Sequence, residues 1–262
     1  MFVINFYILE VYFLGTGTSQ GVPIIGIDHP VAHSIDKRDK RLRTSVLIKW
    51  DDVTLMIDCG PDFRQQMLTA ECNYLDAILF THEHADHIAG LDEIRPLTIL
   101  HGDLPLYASE QVMEALKKRY DYIFTEIDRY PGAPSVEQHI ISGGEPFTIK
   151  GKEIQAIDIL HGSLPILGFR LGELVYITDA KYISQIEREK IRGCKVLIVN
   201  ALRIKEHPTH FNLDEALAFI EDIAPEQTYL THIAQDLGFH AEVENILPKN
   251  VYLAFDNLRI EI

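Results

Sequence analysis

The sequence predicts an α/β fold: two β-sheets packed together with helices on the outside. Three observations predict it. First, short aliphatic and β-branched runs stop abruptly at a polar residue. Residues 53–57 end at Asp58, 77–80 at Thr81 and His82, and 154–160 at His161. Residues 174–178 end at Asp179, 195–199 at Asn200, and 228–230 at Thr231 and His232. Runs of this length and composition read as buried strands. Second, helical patterns lie between some of them. One spans 111–120 behind a Ser109 cap, and another spans 183–191 before Gly193. A third spans 213–223, opened by Asn212 with Glu215 three residues on, as in a capping box. Third, the strand ends repeat. Two read Thr-His and two end in Asp, with strands and helices distributed similarly in both halves. A duplicated unit would bring these polar ends to one rim, where ligands of α/β folds gather.

The 262 residues suffice for a single α/β domain over 1–262, and 47% of them are apolar. No low-complexity stretch or linker divides the chain. The net charge is −15, from 39 acidic and 24 basic residues, which repels a phosphate backbone and argues against a nucleic-acid partner. The densest basic stretch, residues 37–43, is diluted by Asp36 and Asp39 and reads as a solvated loop. The three cysteines, Cys59, Cys72 and Cys194, form no C-x-x-C and fit a reducing compartment. Residues 1–14 are apolar, but Asn5 and Glu10 interrupt them. Without a basic leader and too short to span a bilayer, they read as a first strand with a short extension. The expectation is a cytoplasmic protein with no membrane contact.

The chemistry concentrates at residues 81–87, T-H-E-H-A-D-H. His82, His84, Asp86 and His87 fall within this segment, directly after a strand. Side chains of an extended segment repeat every second residue, so His82 and His84 leave on the same side. Asp86 and His87 are expected in the turn entering an apolar-periodic helix that begins at Ile88. Histidine and carboxylate are ligands for Zn²⁺, Mn²⁺ or Fe, and the absence of cysteine excludes a thiolate structural zinc here. Two ligand pairs so close together can serve two neighbouring metals.

His82-x-His84-x-Asp86-His87 resembles the signature of the metallo-β-lactamase superfamily, and the resemblance spans nearly the whole chain. Residues 55–60, L-M-I-D-C-G, resemble the strand-Asp-x-Gly element that precedes it. His161, Asp179 and His232 follow in the order of the later ligands. The resemblance implies a four-layer αββα sandwich of two mixed sheets flanked by helices. It implies two divalent ions, with His82, His84 and His161 on the first and Asp86, His87 and His232 on the second. Asp179 bridges them, and Asp58 orients the ligand loop without being a ligand. Residues 13–23, F-L-G-T-G-T-S-Q-G-V-P, resemble the phosphodiesterase and ribonuclease Z branch.

The implied chemistry is hydrolysis of a small, cyclic phosphodiester such as phosphoribosyl 1,2-cyclic phosphate by a metal-bridging hydroxide. Asp86 would take the nucleophile's proton. His210 would stabilise the transition state or protonate the leaving oxygen, with His207 the alternative for that role. Arg203 is the candidate phosphate ligand, with Arg43 and Lys181 behind it. One departure is evident. Related chains carry a Gly-Cys-x-Cys-x-x-Cys loop for a structural zinc. Here residues 26–33 read G-I-D-H-P-V-A-H, leaving only His29 and His33, and Gln235 stands where a histidine is wanted. No third zinc, or a weak one, is expected. The rivals are a ribonuclease Z-like endonuclease that processes transfer-RNA 3′ ends, which needs a flexible arm and a basic surface, and a thioester or lactam hydrolase. A non-catalytic metal-binding protein is the rival outside enzymes. A homodimer is a family expectation. Residues 120–144, rich in Tyr, Pro and Gly, read equally as a lid or a dimer contact.

Overall fold

The computed structural model describes residues 9–125 and 129–262. Most of the expected N-terminal extension, and three residues of the 120–144 segment, therefore lie outside the described residues. Seven strands come from each half of the sandwich. The first half supplies β1 (Leu9–Gly15), β2 (Ser45–Trp50), β3 (Val53–Ile57), β4 (Ala77–Leu79), β5 (Leu104–Ala108) and β6 (Val136–Ile140). The second supplies β7 (Phe147–Ile149), β8 (Lys152–His161), β9 (Leu164–Leu171), β10 (Leu174–Tyr176), β11 (Val196–Asn200), β12 (Gln227–Thr231) and β13 (Val251–Leu253). The last strand, β14 (Arg259–Glu261), returns to pair antiparallel with β1. The sheet orders are β14-β1-β2-β3-β4-β5-β6 and β13-β12-β11-β10-β9-β8-β7.

Both sheets are mixed in the same way. An antiparallel set (β14, β1, β2, β3 or β7, β8, β9, β10) is followed by three strands running parallel to its last member. This agrees with the repeat of strand ends in the sequence: β3 leads to Asp58 and β10 to Asp179 at equivalent points.

Alternation along the strands divides the apolar residues among layers. In β3, Val53, Leu55 and Ile57 face the other sheet and Met56 faces the helices. In β11, Val196 and Ile198 face the other sheet, while Leu197 and Val199 face the opposite way. Phe13, Leu55, Phe169 and Tyr176 fill the space between the sheets. With both faces covered, β10 and β11 are buried at every residue, as parallel strands require.

Helices close the outside. On the first sheet lie α1 (Phe63–Thr69), α2 (Ala85–Ile88), α3 (Arg95–His101), α4 (Glu110–Arg119) and α5 (Asp121–Phe124); on the second lie α6 (Gln185–Ile191), α7 (Leu213–Ile223) and α8 (His240–Glu244). In α7, Leu213, Ala216, Phe219, Ile220 and Ile223 form the buried stripe. Each large side chain so buried contributes about 1.5–3 kcal/mol. The capping box forms: Glu215 N donates to Asn212 Oδ1 at 2.9 Å, and Asn212 N donates to Glu215 Oε2 at 3.0 Å. Ser109 caps α4, and Ser184 caps α6, two residues later than the sequence pattern suggests.

The helix expected from Ile88 is corrected. Asp86 and His87 lie inside the single turn α2, which stops at Ile88, and the chain passes through a 3₁₀ turn at Leu91–Ile94 before α3. The cause is Gly90. A Cβ there would stand 2.2 Å from the Gly60 carbonyl oxygen and 2.7 Å from Phe63 Cβ. The chain is drawn against the 58–60 loop and cannot continue as a straight helix. Among the described residues, no helix is long and apolar enough to cross a membrane.

Candidate metal centre

The C-terminal ends of β3, β4, β8, β10, β11 and β12 meet at one rim. Strands alone would carry the chain past it, and three non-glycine residues reverse the chain there in the left-handed region. These are Asp58 (φ 63°), Asp179 (φ 57°) and His232 (φ 54°). Each such conformation costs on the order of 1 kcal/mol; six further non-glycine residues among those described adopt it elsewhere, but these three stand together at the rim.

The loop after β3 is built around Asp58. Its Oδ1 accepts from Thr81 N at 2.8 Å, and its Oδ2 accepts from Thr81 Oγ1 at 2.8 Å and His87 Nδ1 at 2.7 Å. With both oxygens occupied, Asp58 orients rather than coordinates. Cys59 N donates to His87 O, and Gly90 N to Cys59 O, docking α2 on this loop. Gly60 is required because a Cβ would lie 2.1 Å from the Asp86 carbonyl oxygen. The Asp-Cys-Gly element is thus a socket for the helix that carries Asp86 and His87.

All seven predicted ligands converge. Ligand atoms of His82, His84 and His161 lie within 4.8 Å of one another, as do those of Asp86, His87 and His232. Asp179 joins both sides. It groups with His82 and His87, and also with His161 and His210. Its Oδ1 is 3.2 Å from His232 Nε2 and its Oδ2 is 3.4 Å from His87 Nε2. His82, His87, Asp179 and His232 are almost fully buried, whereas His84 stands at the exposed mouth.

His82 Nε2 lies 3.0 Å from His84 Nδ1, while other ring nitrogens find no partner. His87 Nε2 and both ring nitrogens of His232 are buried without a hydrogen-bond partner, although carboxylate oxygens lie 3.1–3.7 Å away. Such orphans cost about 1–3 kcal/mol each. The opposite edges of three rings are tied back. His87 Nδ1 donates to Asp58, His82 Nδ1 lies 3.0 Å from Thr81 Oγ1, and His161 Nδ1 donates to Thr209 O at 2.7 Å. Each tie directs Nε2 inward, as in metal-ligating histidines. The residues therefore fit a pair of divalent ions.

Electrostatics agree. Burial pushes the Asp86 and Asp179 carboxyls up, but neighbouring histidines, above all His87 and His232, outweigh it and hold both well below the usual range. Burial, reinforced by His87, pushes His82 far down, and burial with His161 lowers His84. Burial opposes the charged form of His87, but Asp86, Asp58 and Asp179 raise it well above normal. Ionised carboxylates with His82 and His84 neutral are donors a divalent cation needs, and His87, charged in the absence of a metal, would give up its proton to ligate one.

His210 lies over the same carboxylate, its Nε2 3.0 Å from Asp179 Oδ1. Burial holds it down at about 4, against the pull of Asp179. Its Nδ1 lies 3.0 Å from both His207 Nδ1 and Thr209 Oγ1, so the two histidines offered for one role are in contact. Arg203 is placed differently. Its guanidinium donates to the carbonyls of Lys205 and Glu206, shaping its own loop. Lys181 pairs with Glu215. Arg43 pairs with Asp62 at 3.3 Å but keeps a buried Nε without an acceptor. Its Cβ faces Gly60, beside Asp86, and Gly17 bridges to both Arg43 and Ile233, beside His232. His29 and His33 stand apart from this cluster, paired with Asp236 and Asp28.

Three supporting residues were not read from the sequence. Asn200 clamps Ala180, accepting from its N–H at 2.7 Å and donating to its carbonyl at 3.1 Å, which fixes the turn at Asp179. Thr178 Oγ1 donates to Asp179 Oδ2 at 2.6 Å. Thr209 holds His161 through its carbonyl. Only Asn200 left a signal, as a polar residue closing an apolar run.

Comparison with known proteins agrees with this geometry. Residues 54–233 match the family model described as beta-lactamase superfamily domain. A protein named octanoyltransferase from Porphyromonas gingivalis is 40% identical over 247 residues, covering 94% of this chain but 50% of that protein, so the chain spans half its length. An exodeoxyribonuclease, YycJ, from Bacillus anthracis is 26% identical over 71% of this chain and 76% of its own. A crystal structure described as a new diphosphatase from the PhnP family superposes with a TM-score of 0.91 at 39% identity, covering 97% of each chain. Sheet order, ligand order and these likenesses converge: the chain belongs to the metallo-β-lactamase superfamily, in its PhnP family.

Proposed function

We propose that this chain, as one domain, is a dinuclear-metal phosphodiesterase acting on a small, cyclic phosphodiester such as phosphoribosyl 1,2-cyclic phosphate, or on the related diphosphate linkage. The observation that carries the reading is the pair of three-ligand sets sharing Asp179, with His210 above that shared carboxylate. His82, His84 and His161 would hold one zinc, manganese or iron ion, and Asp86, His87 and His232 the other. When bound, such a pair supplies positive charge for the phosphoryl oxygens and acidifies the attacking water.

The protein's own groups complete the reaction. Asp86, facing His87 and His232, takes the nucleophile's proton. His210 presents Nε2 to the departing oxygen, help worth about 10²–10⁴-fold. Arg43, with an unspent buried donor beside two ligand loops, is the better-placed anchor for a substrate phosphate than Arg203, whose donors serve its own loop. The likeness to a PhnP-family diphosphatase supports a phosphoryl substrate. The −15 charge favours a small one over nucleic acid. The exodeoxyribonuclease likeness keeps a nuclease as the second reading.

The test is turnover by the metal-loaded chain on a panel. It contains bis-p-nitrophenyl phosphate, a five-membered cyclic phosphodiester, a diphosphate diester, precursor transfer RNA, single-stranded DNA and an octanoyl thioester. The small phosphoryl substrates should be hydrolysed fastest. Asp179→Ala should lose metal, and His210→Ala should keep metal and turn over about 10²-fold more slowly or worse. Faster cleavage of the thioester or of RNA would overturn the assignment.

A further inference from the structure

The loop from Arg203 to Asn212 holds a histidine with no role in the reading above. His207 is half-buried, and its ring centroid lies 4.7 Å from that of His210 at 62°. The loop presenting it is pinned on both sides. Arg203 donates to the Lys205 and Glu206 carbonyls, and Asn212 Nδ2 donates to the Ile204 carbonyl at 3.2 Å. Thr209 N donates to His207 Nδ1 at 3.3 Å, so this nitrogen serves as an acceptor. The same nitrogen is 3.0 Å from His210 Nδ1.

We propose that His207 is the positioning residue for His210: its ring meets the Nδ1 edge of His210 and so holds the Nε2 edge over Asp179 and toward the leaving oxygen. The inference rests on the role proposed above for His210. An imidazole has only two ring nitrogens. Engaging the Nδ1 edge with His207 and Thr209 leaves Nε2 as the atom that meets the substrate, and it stops the ring from flipping. Thr209 couples this arrangement to the ligand set, because its hydroxyl touches both histidines while its carbonyl holds His161. One loop thereby sets the direction of a ligand and of the proton donor together.

The proposal separates chemistry from binding. A group that positions a proton donor matters when the leaving oxygen is a poor leaving group, an alkoxide, and matters little for p-nitrophenolate, which departs without a proton. Three variants test it: His207→Phe, which keeps a ring of similar size without nitrogens; His207→Asn, whose amide can meet His210 Nδ1 as donor or acceptor; and His210→Ala. Metal content, KM and kcat are measured on an alkyl phosphodiester and on bis-p-nitrophenyl phosphate. For His207→Phe, unchanged metal content and KM are expected. Its kcat should fall about tenfold or more on the alkyl diester and less than about threefold on the nitrophenyl diester. His207→Asn should recover most of the loss. Equal falls on both substrates, or none, would overturn the positioning role while His210→Ala keeps its leaving-group dependence. If His210→Ala itself lacks that dependence, the role given to His210 fails and this inference with it.

Discussion

Asp58 and Asp179 are both carboxylates at strand ends with left-handed backbones, yet they do different work. Asp179 leaves one edge facing nitrogens on both sides of the rim. Asp58 spends its oxygens on Thr81 and His87. Asp58→Asn keeps the shape but removes the charge that fixes the His87 ring. Metal affinity is expected to fall about 10–100-fold, by competition titration, with the fold intact. A second residue-scale expectation concerns His240, far from the ligands. Burial, and then Arg41, depress its imidazole to about 4. A histidine whose folded value lies below its unfolded value near 6.5 contributes stability above that unfolded value and loses it as pH falls toward 4. Thermal unfolding should show a loss on the order of 1 kcal/mol across that interval, reduced by solvent screening, and His240→Gln should flatten this slope.

At the scale of elements, α2 is one turn long and contributes two ligands, so its stability cannot be its own. It comes from the glycine contact with the 58–60 loop. Gly90→Ala has an allowed backbone but forces a Cβ into the Gly60 carbonyl, which should cost about 1–3 kcal/mol by denaturant unfolding and lower the bound metal. The sequence revealed the strands that end at the rim because their apolar runs stop at ligands. Residues 53–57 and 213–223 match β3 and α7 in full. It concealed β6, β7, β13 and β14, which are short edge strands with little apolar pattern, and α1, which carries few apolar residues. It also concealed how the ligands turn inward. Left-handed backbone at Asp58, Asp179 and His232 is only weakly signalled by residue type, Asp and His being enriched there, and the contact between His207 and His210 has no signature.

At the scale of the molecule, the ligands come from both sheets. His82, His84, Asp86 and His87 follow β4 of the first; His161, Asp179 and His232 close or follow β8, β10 and β12 of the second. Bound cations would therefore cross-link the two sheets, and a chelator should lower Tm. Metal present at 100 times its Kd would stabilise the fold by about 2.7 kcal/mol, so calorimetry with and without chelator measures the link. The three left-handed strand ends have a further consequence. Glycine alone adopts that backbone without penalty, so each functional carboxylate or imidazole there is a standing load on folding. Asp179→Gly should sacrifice the catalyst yet leave a sturdier metal-free chain than Asp179→Ala. A lineage that no longer needed the reaction would drift toward glycine at these corners first.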